Sequence, residues 1–594
     1  MKQKLKRFLA LICMVAVCLQ SNGCNNAQES THYTEKKNVN KEQEQANFDQ
    51  FLNELFVKEV QSDSITLNYT LKNPEKYGIT DFTPTLGDYG VDYAKKNIAE
   101  VENIYSRLTS FAYSALTDDQ KVTYDILEDY YRIDNDEEDY LLYGEALGNT
   151  TGIQAQLPIL LSEYNFSDKD DVDTYLKLLY TINDYFTKIG AFEREKSKAG
   201  LFMSDHNADN IIAQCKDFIE DPDENLLITI FNERLDSFEW LTAKEREQYK
   251  KKNKKAVTES VIPAYQGLID TICKLKGTGK NDGGIGNLPK GKTYYEKMAQ
   301  STTGSDKSIK QMKTALQRTM KAAATKISTL TANDETIWDS YYNMKFPMTD
   351  PDKIVGYLKE TVTSDFPELK PVNYTVKYVD KSLEEHVSPA FYLTPQLDNY
   401  KENSIYINGS SKNDLSSIFP TLAHEGYPGH LLQTVYFQQQ NPTPLRAMLN
   451  YGGYSEGWAT YAEIYSYDIA KLSDNLGEYA KQYSIFNLCM YAEMDIGVNY
   501  DCWTKEDLGK YLQDFGVSNE DAINEVFDIV VDDPGNYLQY VIGYIEFADL
   551  RADAEKQLGD KFNAKEFHTF LLNMGPSPFP VIKKYMQNWI KTQK

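Results

Sequence analysis

The chain has 594 residues, a formal net charge of −25 and 13% aromatic residues. So acidic a balance excludes nucleic-acid binding, which needs a basic surface, and opposes lying flat on an anionic membrane; it favours a soluble, self-repelling body. The length is far above that of one minimal core, so two or more lobes are expected.

Residues 1–23 read as an export signal. Lys2, Lys4, Lys6 and Arg7 precede an apolar run from Phe8 to Leu19, too short to span a bilayer. Gly23-Cys24 is similar to a lipoprotein cleavage site with Cys24 as the acylated residue, although Ser21 stands where such sites usually have Leu. The expected location is therefore the outer face of the cell membrane, held through a lipid anchor only; ordinary secretion is the alternative. Residues 24–46 are polar and charged and read as a flexible tether.

Residues 47–276 show helix after helix and form the expected amino-terminal lobe. Leu178, Ile182, Tyr185 and Ile189 repeat at helical spacing within 174–194. The acidic cluster from Asp168 to Asp173 lacks the spacing of a calcium loop and suits a helix start. Gly152-Ile-Gln-Ala-Gln-Leu-Pro158 reads as an uncharged connection between helices.

The Gly- and Lys-rich loop 277–292 is the expected lobe boundary. Within and just after it, Gly286 to Thr293 satisfies the phosphate-loop pattern. No apolar strand precedes it, so nucleotide binding is not expected. Residues 293–594 form the expected second lobe. Tyr294 to Leu330 is helical in pattern. Pro371 to Tyr378 and Ser404 to Asn408 alternate as strands, separated by an irregular stretch over 389–399. The free edge of the second strand would hold an extended peptide, with Tyr406 and Asn408 on one side as substrate contacts; an ordinary edge hairpin is the other reading.

The centre of the argument is Thr421-Leu-Ala-His424-Glu425-Gly426-Tyr427-Pro428-Gly429-His430-Leu-Leu-Gln433. Two histidines converging on a metal, with a carboxylate beside them to take a proton from bound water, are the parts of a metal hydrolase. In the common zinc-peptidase pattern the histidines are four apart and share a helix face. Here they are six apart, so an unbroken helix would splay them. Pro428 and Gly429 offer a local unwinding that would absorb the difference. The bland reading is two unrelated histidines beside a proline turn. In Glu456-Gly-Trp458-Ala-Thr460-Tyr-Ala-Glu463, Glu456 is the candidate third ligand. Glu463 lies about 10 Å further along the axis and is not a co-ligand; Thr460, one turn away, is placed for a supporting bond.

Further on, Tyr537, Tyr540, Tyr544 and Ala548 mark a helix, with Tyr540 as candidate oxyanion stabiliser. Arg551 lies about 16 Å beyond Tyr540 and is expected to hold a distant carboxylate, of the substrate or of the protein. Gly543 inside this helix implies a close neighbour. His568 sits in an apolar helix, more often a core position, and is held in reserve as a proton donor. Cys215, Cys273, Cys489 and Cys502 are no disulfide framework, and the pairing of Cys489 with Cys502 stays open. The 44 tyrosines suit packing and amphipathic surface; a carbohydrate-binding platform is the alternative.

His-Glu-x-x-Pro-Gly-His-x-x-Gln followed by Glu-Gly-Trp-Ala resembles the bacterial DUF885 proteins. Gly152–Pro158, Tyr294-Tyr295, Ser388–Tyr392 and Pro534-Gly535…Tyr540…Gly543…Leu550-Arg551 are similar to family segments as well; Asn536-Tyr537 departs from the usual Gln-Ala. The resemblance, to a group placed with the gluzincin metallopeptidases, implies one zinc ion held by His424, His430 and Glu456, with Glu425 as general base. It implies a mainly α-helical, two-lobed fold with a deep cleft for short peptides. The alternatives are a zinc hydrolase of another amide or ester, and a surface-tethered binding lipoprotein without turnover.

Overall fold

The computed structural model describes residues 39–132, 137–149, 151–379, 381, 384 and 388–594. The signal and Cys24 lie outside them. The described chain is mainly helical, with one three-stranded sheet.

The first helix, α1 (Lys41–Val60), starts inside the expected tether, capped by Asn40. Polar residues there have partners: Glu44 accepts from Ala112 N at 2.6 Å and Gln45 donates to Ala115 O at 2.8 Å. Phe48, Phe51, Leu52, Leu55 and Phe56 make its buried stripe. Next in the core comes α2 (Asp118–Tyr130), whose Thr117 and Gln120 form a capping box. The stretch from Gly152 is not a connection. It is the helix α3 (Ile153–Ser162) with Pro158 inside it. The helix expected over 174–194 is two, α4 (Lys169–Leu179) and α5 (Ile182–Ala199), parted at Tyr180-Thr181. Asp168 caps α4 by accepting from Asp170 N and Asp171 N, as the helix-start reading requires.

The glycine-rich loop is packed down on backbone. A Cβ at Gly284 would lie 2.2 Å from Val498 O and one at Gly286 2.5 Å from Asn499 O. It leads through a short 3₁₀ turn, not from a strand, into α6 (Gly291–Thr303). Two more helices follow, α7 (Ile309–Asn333) and the short α8 (Ile337–Tyr342).

The sheet holds β1 (Asn373–Tyr378), β2 (Ala390–Leu393) and β3 (Glu402–Ile407) in the order β1-β3-β2. β1 runs parallel to β3 with Asn373 opposite Glu402; β2 runs antiparallel with Ala390 opposite Ile407. The strand read as a free edge is therefore the middle one, and the outer strand β2 comes from the stretch read as irregular. Ala-Phe-Tyr-Leu is too short and too apolar to show alternation. Phe391 and Tyr406 stack at 4.9 Å on one face, against Ile159 of α3. Ala390, Tyr392, Ile405 and Ile407 enter the main core on the other.

The carboxy-terminal elements include α9 (Phe419–Glu425), α10 (His430–Gln439), α11 (Gly452–Ser466), α12 (Asp474–Asn499), α13 (Asn536–Leu558), α14 (Ala564–Met574) and α15 (Phe579–Gln593). Apolar packing does not follow the 47–276 and 293–594 division. Phe48 to Tyr131 share one core with Phe346 to Ile590. Residues between Leu147 and Ile272, joined by Ile65, make a second, and residues between Tyr295 and Ile545 a third. Asp125 of α2 fastens α15 to the first core, accepting from Lys584 Nζ and Tyr585 OH, each at 2.7 Å.

Candidate metal centre

The helix that carries His424 is interrupted between the two histidines, as the local unwinding requires: it stops and restarts. α9 ends at Glu425, and His430 opens α10. Pro428 has no N–H to give His424 O. The Tyr427-Pro428 peptide is cis. Gly429 N donates to Ala423 O at 2.9 Å, a reach two residues longer than an α-turn. A Cβ at Gly429 would stand 1.8 Å from His424 O, so the backbone comes this close only at glycine. Trp458 Nε1 donates to Pro428 O at 2.9 Å, and Gln433 Nε2 to Tyr454 O at 3.1 Å. α11 thus clamps the interruption at the level where it supplies Glu456.

The result is convergence. One ligand atom each from His424, His430 and Glu456 lies within 4.8 Å of the other two. Glu456 Oε2 is 3.4 Å from His424 Nε2 and 3.5 Å from His430 Nε2. Two ligands about 2.0–2.2 Å from one tetrahedral ion stand roughly 3.3–3.6 Å apart, so both glutamate–imidazole distances suit a shared ion such as zinc. The expected supporting bond goes not to Thr460 but to Glu463, whose Oε2 is 3.2 Å from His424 Nδ1. The two glutamates are seven residues apart on α11, and the imidazole bridges that interval. With Nδ1–H given to Glu463, the Nε2 lone pair faces Glu456.

Charge points the same way. Burial alone would lower His424, yet Glu456 and Glu463 hold it well above the usual histidine range. Burial alone would raise Glu456, yet His430 and His424 hold its carboxyl well below the usual range. Three carboxylates, with Glu425, surround two imidazoles that are neutral when they ligate a metal. Such a site wants positive charge.

Burial raises the Glu425 carboxyl. Its Oε2 accepts from Tyr392 N at 2.9 Å, so β2, not β3, is the strand that touches the site. Tyr540 is brought beside His424, ring centroids 6.3 Å apart at 26°. It gets there through glycine. A Cβ at Gly457 would lie 2.4 Å from Gly543 Cα, and one at Gly543 2.2 Å from Gly453 O, so α11 and α13 cross backbone on backbone.

The remaining candidates have other partners. Arg551 donates to Tyr461 OH and to Glu555 Oε1, both at 2.8 Å, so the carboxylate it holds is the protein's own. Tyr406 OH donates to Glu163 Oε2 at 3.3 Å. Asn408 donates to Glu384 O at 2.8 Å and accepts from Ser410 N at 3.1 Å. His568 is fully buried and stacked at 4.0 Å on Phe366; its Nδ1 donates to Asp365 O at 2.6 Å, leaving Nε2 to accept from Tyr461 OH. Burial pushes it down to about 4, which suits a neutral core residue rather than a proton donor. Cys489 and Cys502 are both free. Glu463, Trp458 and the Tyr392 N–H were missed as site contacts. Glu463 had a signal, since it shares the Glu456 face of α11; a backbone N–H has none.

The chain is similar in fold to a solved structure described as a "putative lipoprotein" from Colwellia psychrerythraea, with a TM-score of 0.81 at 18% identity over 93% of this chain and 100% of the other. A second, a "putative lipoprotein of unknown function" from Shewanella oneidensis, gives 0.61 at 16% over the same shares. No curated protein matches. Among the described residues no helix is long and apolar enough to cross a membrane. Residues 75–586 match the model of the family described as "Bacterial protein of unknown function (DUF885)", and this chain belongs to that family.

Proposed function

We propose that this protein is a zinc-dependent hydrolase of peptide bonds, acting on short peptides outside the cytoplasm from a lipid anchor. The observation that carries the reading is the convergence of His424, His430 and Glu456 on one point, with Glu425 next to it in the chain. A bound zinc ion would supply Lewis acidity and a more acidic water. The clan is that of the gluzincins, and the packing of a separate helical body against the sheet favours a two-lobed molecule with a cleft over the centre.

The residues divide the work. Glu425 takes a proton from the attacking water and passes it to the leaving amine. The Tyr392 N–H fixes one oxygen of that carboxylate and so orients the other. The Tyr540 hydroxyl stabilises the oxyanion. Glu463 sets the His424 tautomer. Because β3 is paired on both sides, an extended peptide would be held along an outer strand, β1 or β2, rather than along β3.

The test is metal analysis of the purified protein followed by digestion of a peptide library with and without chelator. About one zinc per chain is expected, with cleavage that chelator abolishes. Glu425→Gln should keep the metal and lose turnover. Protein without stoichiometric metal overturns the reading; turnover of amide or ester probes but not peptides moves it to another hydrolase class.

A further inference from the structure

One buried charge far from the metal ligands in sequence has no bond to account for it. Glu193 of α5 is 0% exposed, and neither of its carboxylate oxygens has a hydrogen-bond partner among the described residues. An unpaired carboxylate in the interior is strongly destabilising, so its place needs a reason. The partner it lacks is close. Lys196 stands three residues on along α5, on the same helix face, and it feels the charges of both Glu145 and Glu193. Lys196 is itself fully buried. Yet its Nζ turns to Glu145 Oε2 at 2.5 Å and to Gly144 O at 3.3 Å. Two carboxylates compete for one buried ammonium. The half-exposed Glu145 holds it, and the buried Glu193 goes without.

Gly144 and Glu145 lie midway along a strap, residues 137–149, that ties the second core to the rest of the molecule. At one end Tyr140 and Tyr143 pack on Tyr294 of α6, with ring centroids at 5.5 and 4.9 Å. At the other, Leu147 enters the second core and Gln214 Nε2 donates to Asn149 O at 2.7 Å. Asn149 N then donates to Asp532 Oδ2 at 2.9 Å. Asp532 ends the helix Glu520–Asp532, just before the turn into α13. From residue 141 to residue 149 the strap forms neither helix nor strand. Lys196 is the grip on its middle.

We propose that Lys196 is a two-seat latch. Seated on Glu145 and Gly144 O, it holds the strap down and keeps the second core docked on the turn before α13. Seated on Glu193, it lets the strap go. Glu193 has no bond in this structure because it is the seat that Lys196 takes in the released state. A fixed triad, with the ammonium serving both carboxylates at once, would leave neither without a bond; its three N–H donors suffice for that. The latch concerns the docking of the second core and does not rest on peptide hydrolysis.

The experiment is hydrogen–deuterium exchange of the purified protein at one pH, read by mass spectrometry on peptides covering 141–149 and on α10 as reference. Glu193→Gln weakens the competing seat, so exchange in the strap should slow about tenfold, the effect of one charged hydrogen bond. Glu145→Gln weakens the holding seat, and exchange there should quicken by a similar factor. Exchange in α10 should stay as in wild type in both variants. Faster or unchanged strap exchange in Glu193→Gln would show that Glu193 only steadies Lys196 in its present place, and overturns the latch. So does unchanged strap exchange in Glu145→Gln, or a shift of equal size in α10, which would mark a change in global stability.

Discussion

A histidine ring is long enough to touch two carboxylates at once, and His424 does so, with Glu456 at Nε2 and Glu463 at Nδ1. This explains why Glu463 is too far along α11 to share a ligand position with Glu456 and still serves the site. We expect Glu463→Ala to weaken zinc binding about 10- to 100-fold, as loss of a ligand's outer partner typically does. Glu463→Gln should lose less, because its amide oxygen can still accept from Nδ1. Competition with a calibrated chelator measures both, and equal affinity in Glu463→Ala would show that the ring is oriented by packing instead. At this scale the sequence was most legible where chemistry fixes residue type. His424, Glu425, His430 and Glu456 were readable as a set, and the structure brings them together. Tyr406 and Asn408 were read from one side of an expected edge strand, and their bonds are to Glu163 and to the Glu384 and Ser410 backbone; Arg551, expected to hold a carboxylate of the substrate or of the protein, holds Glu555.

Among the elements, the pairing of α11 with α13 matters most, because it lays Tyr540 against the ligand helix. Gly543→Ala would push a methyl into Gly453 O, and overpacking of this kind costs about 1–3 kcal/mol. A lower thermal midpoint is expected, with a larger fall in turnover than in metal content, since Tyr540 moves and the ligands need not. The turn before α13 carries a second prediction. Burial pushes Asp495 up to about 6, even with Tyr295, Gly535 and Asn499 donating to it. Burial, then Asp532 and Asp495 nearby, push Asp533 up to about 7. The folded chain therefore keeps protons that the unfolded chain has released. Stability from these groups is full below an ordinary aspartate pKa of about 4 and is lost as pH rises through about 6 to 7. Asp533→Asn should change the melting temperature little at pH 4 and raise it at pH 8; a constant difference across that range would refute the linkage. Elements were legible where periodicity ran long, as in α13. They were not where it was short: β2 is four apolar residues, and the break at Tyr180-Thr181 falls where helical spacing continues across it.

For the molecule as a whole, helical periodicity and the family resemblance were enough for a mainly helical body but not for how its parts share cores. Sequence order suggested an amino-terminal half and a carboxy-terminal half, because a Gly- and Lys-rich loop is a visible mark. Which helices bury the same apolar side chains leaves no local mark, and here Phe48 to Tyr131 pack with Phe346 to Ile590. A cut in the 277–292 loop should therefore leave two fragments that co-elute on gel filtration and part only in denaturant. Their separation in native buffer would contradict the shared core.

That shared core also sets a timetable. α1 and α2 are made early, yet their apolar stripes are covered by helices up to α15, made long after them. A chain emerging from its amino end must keep Phe48, Phe51 and Phe56 from wrong associations until α15 arrives. Removing α15 should therefore be felt first at the opposite terminus, as early protease cutting of α1 rather than of the metal-site helices.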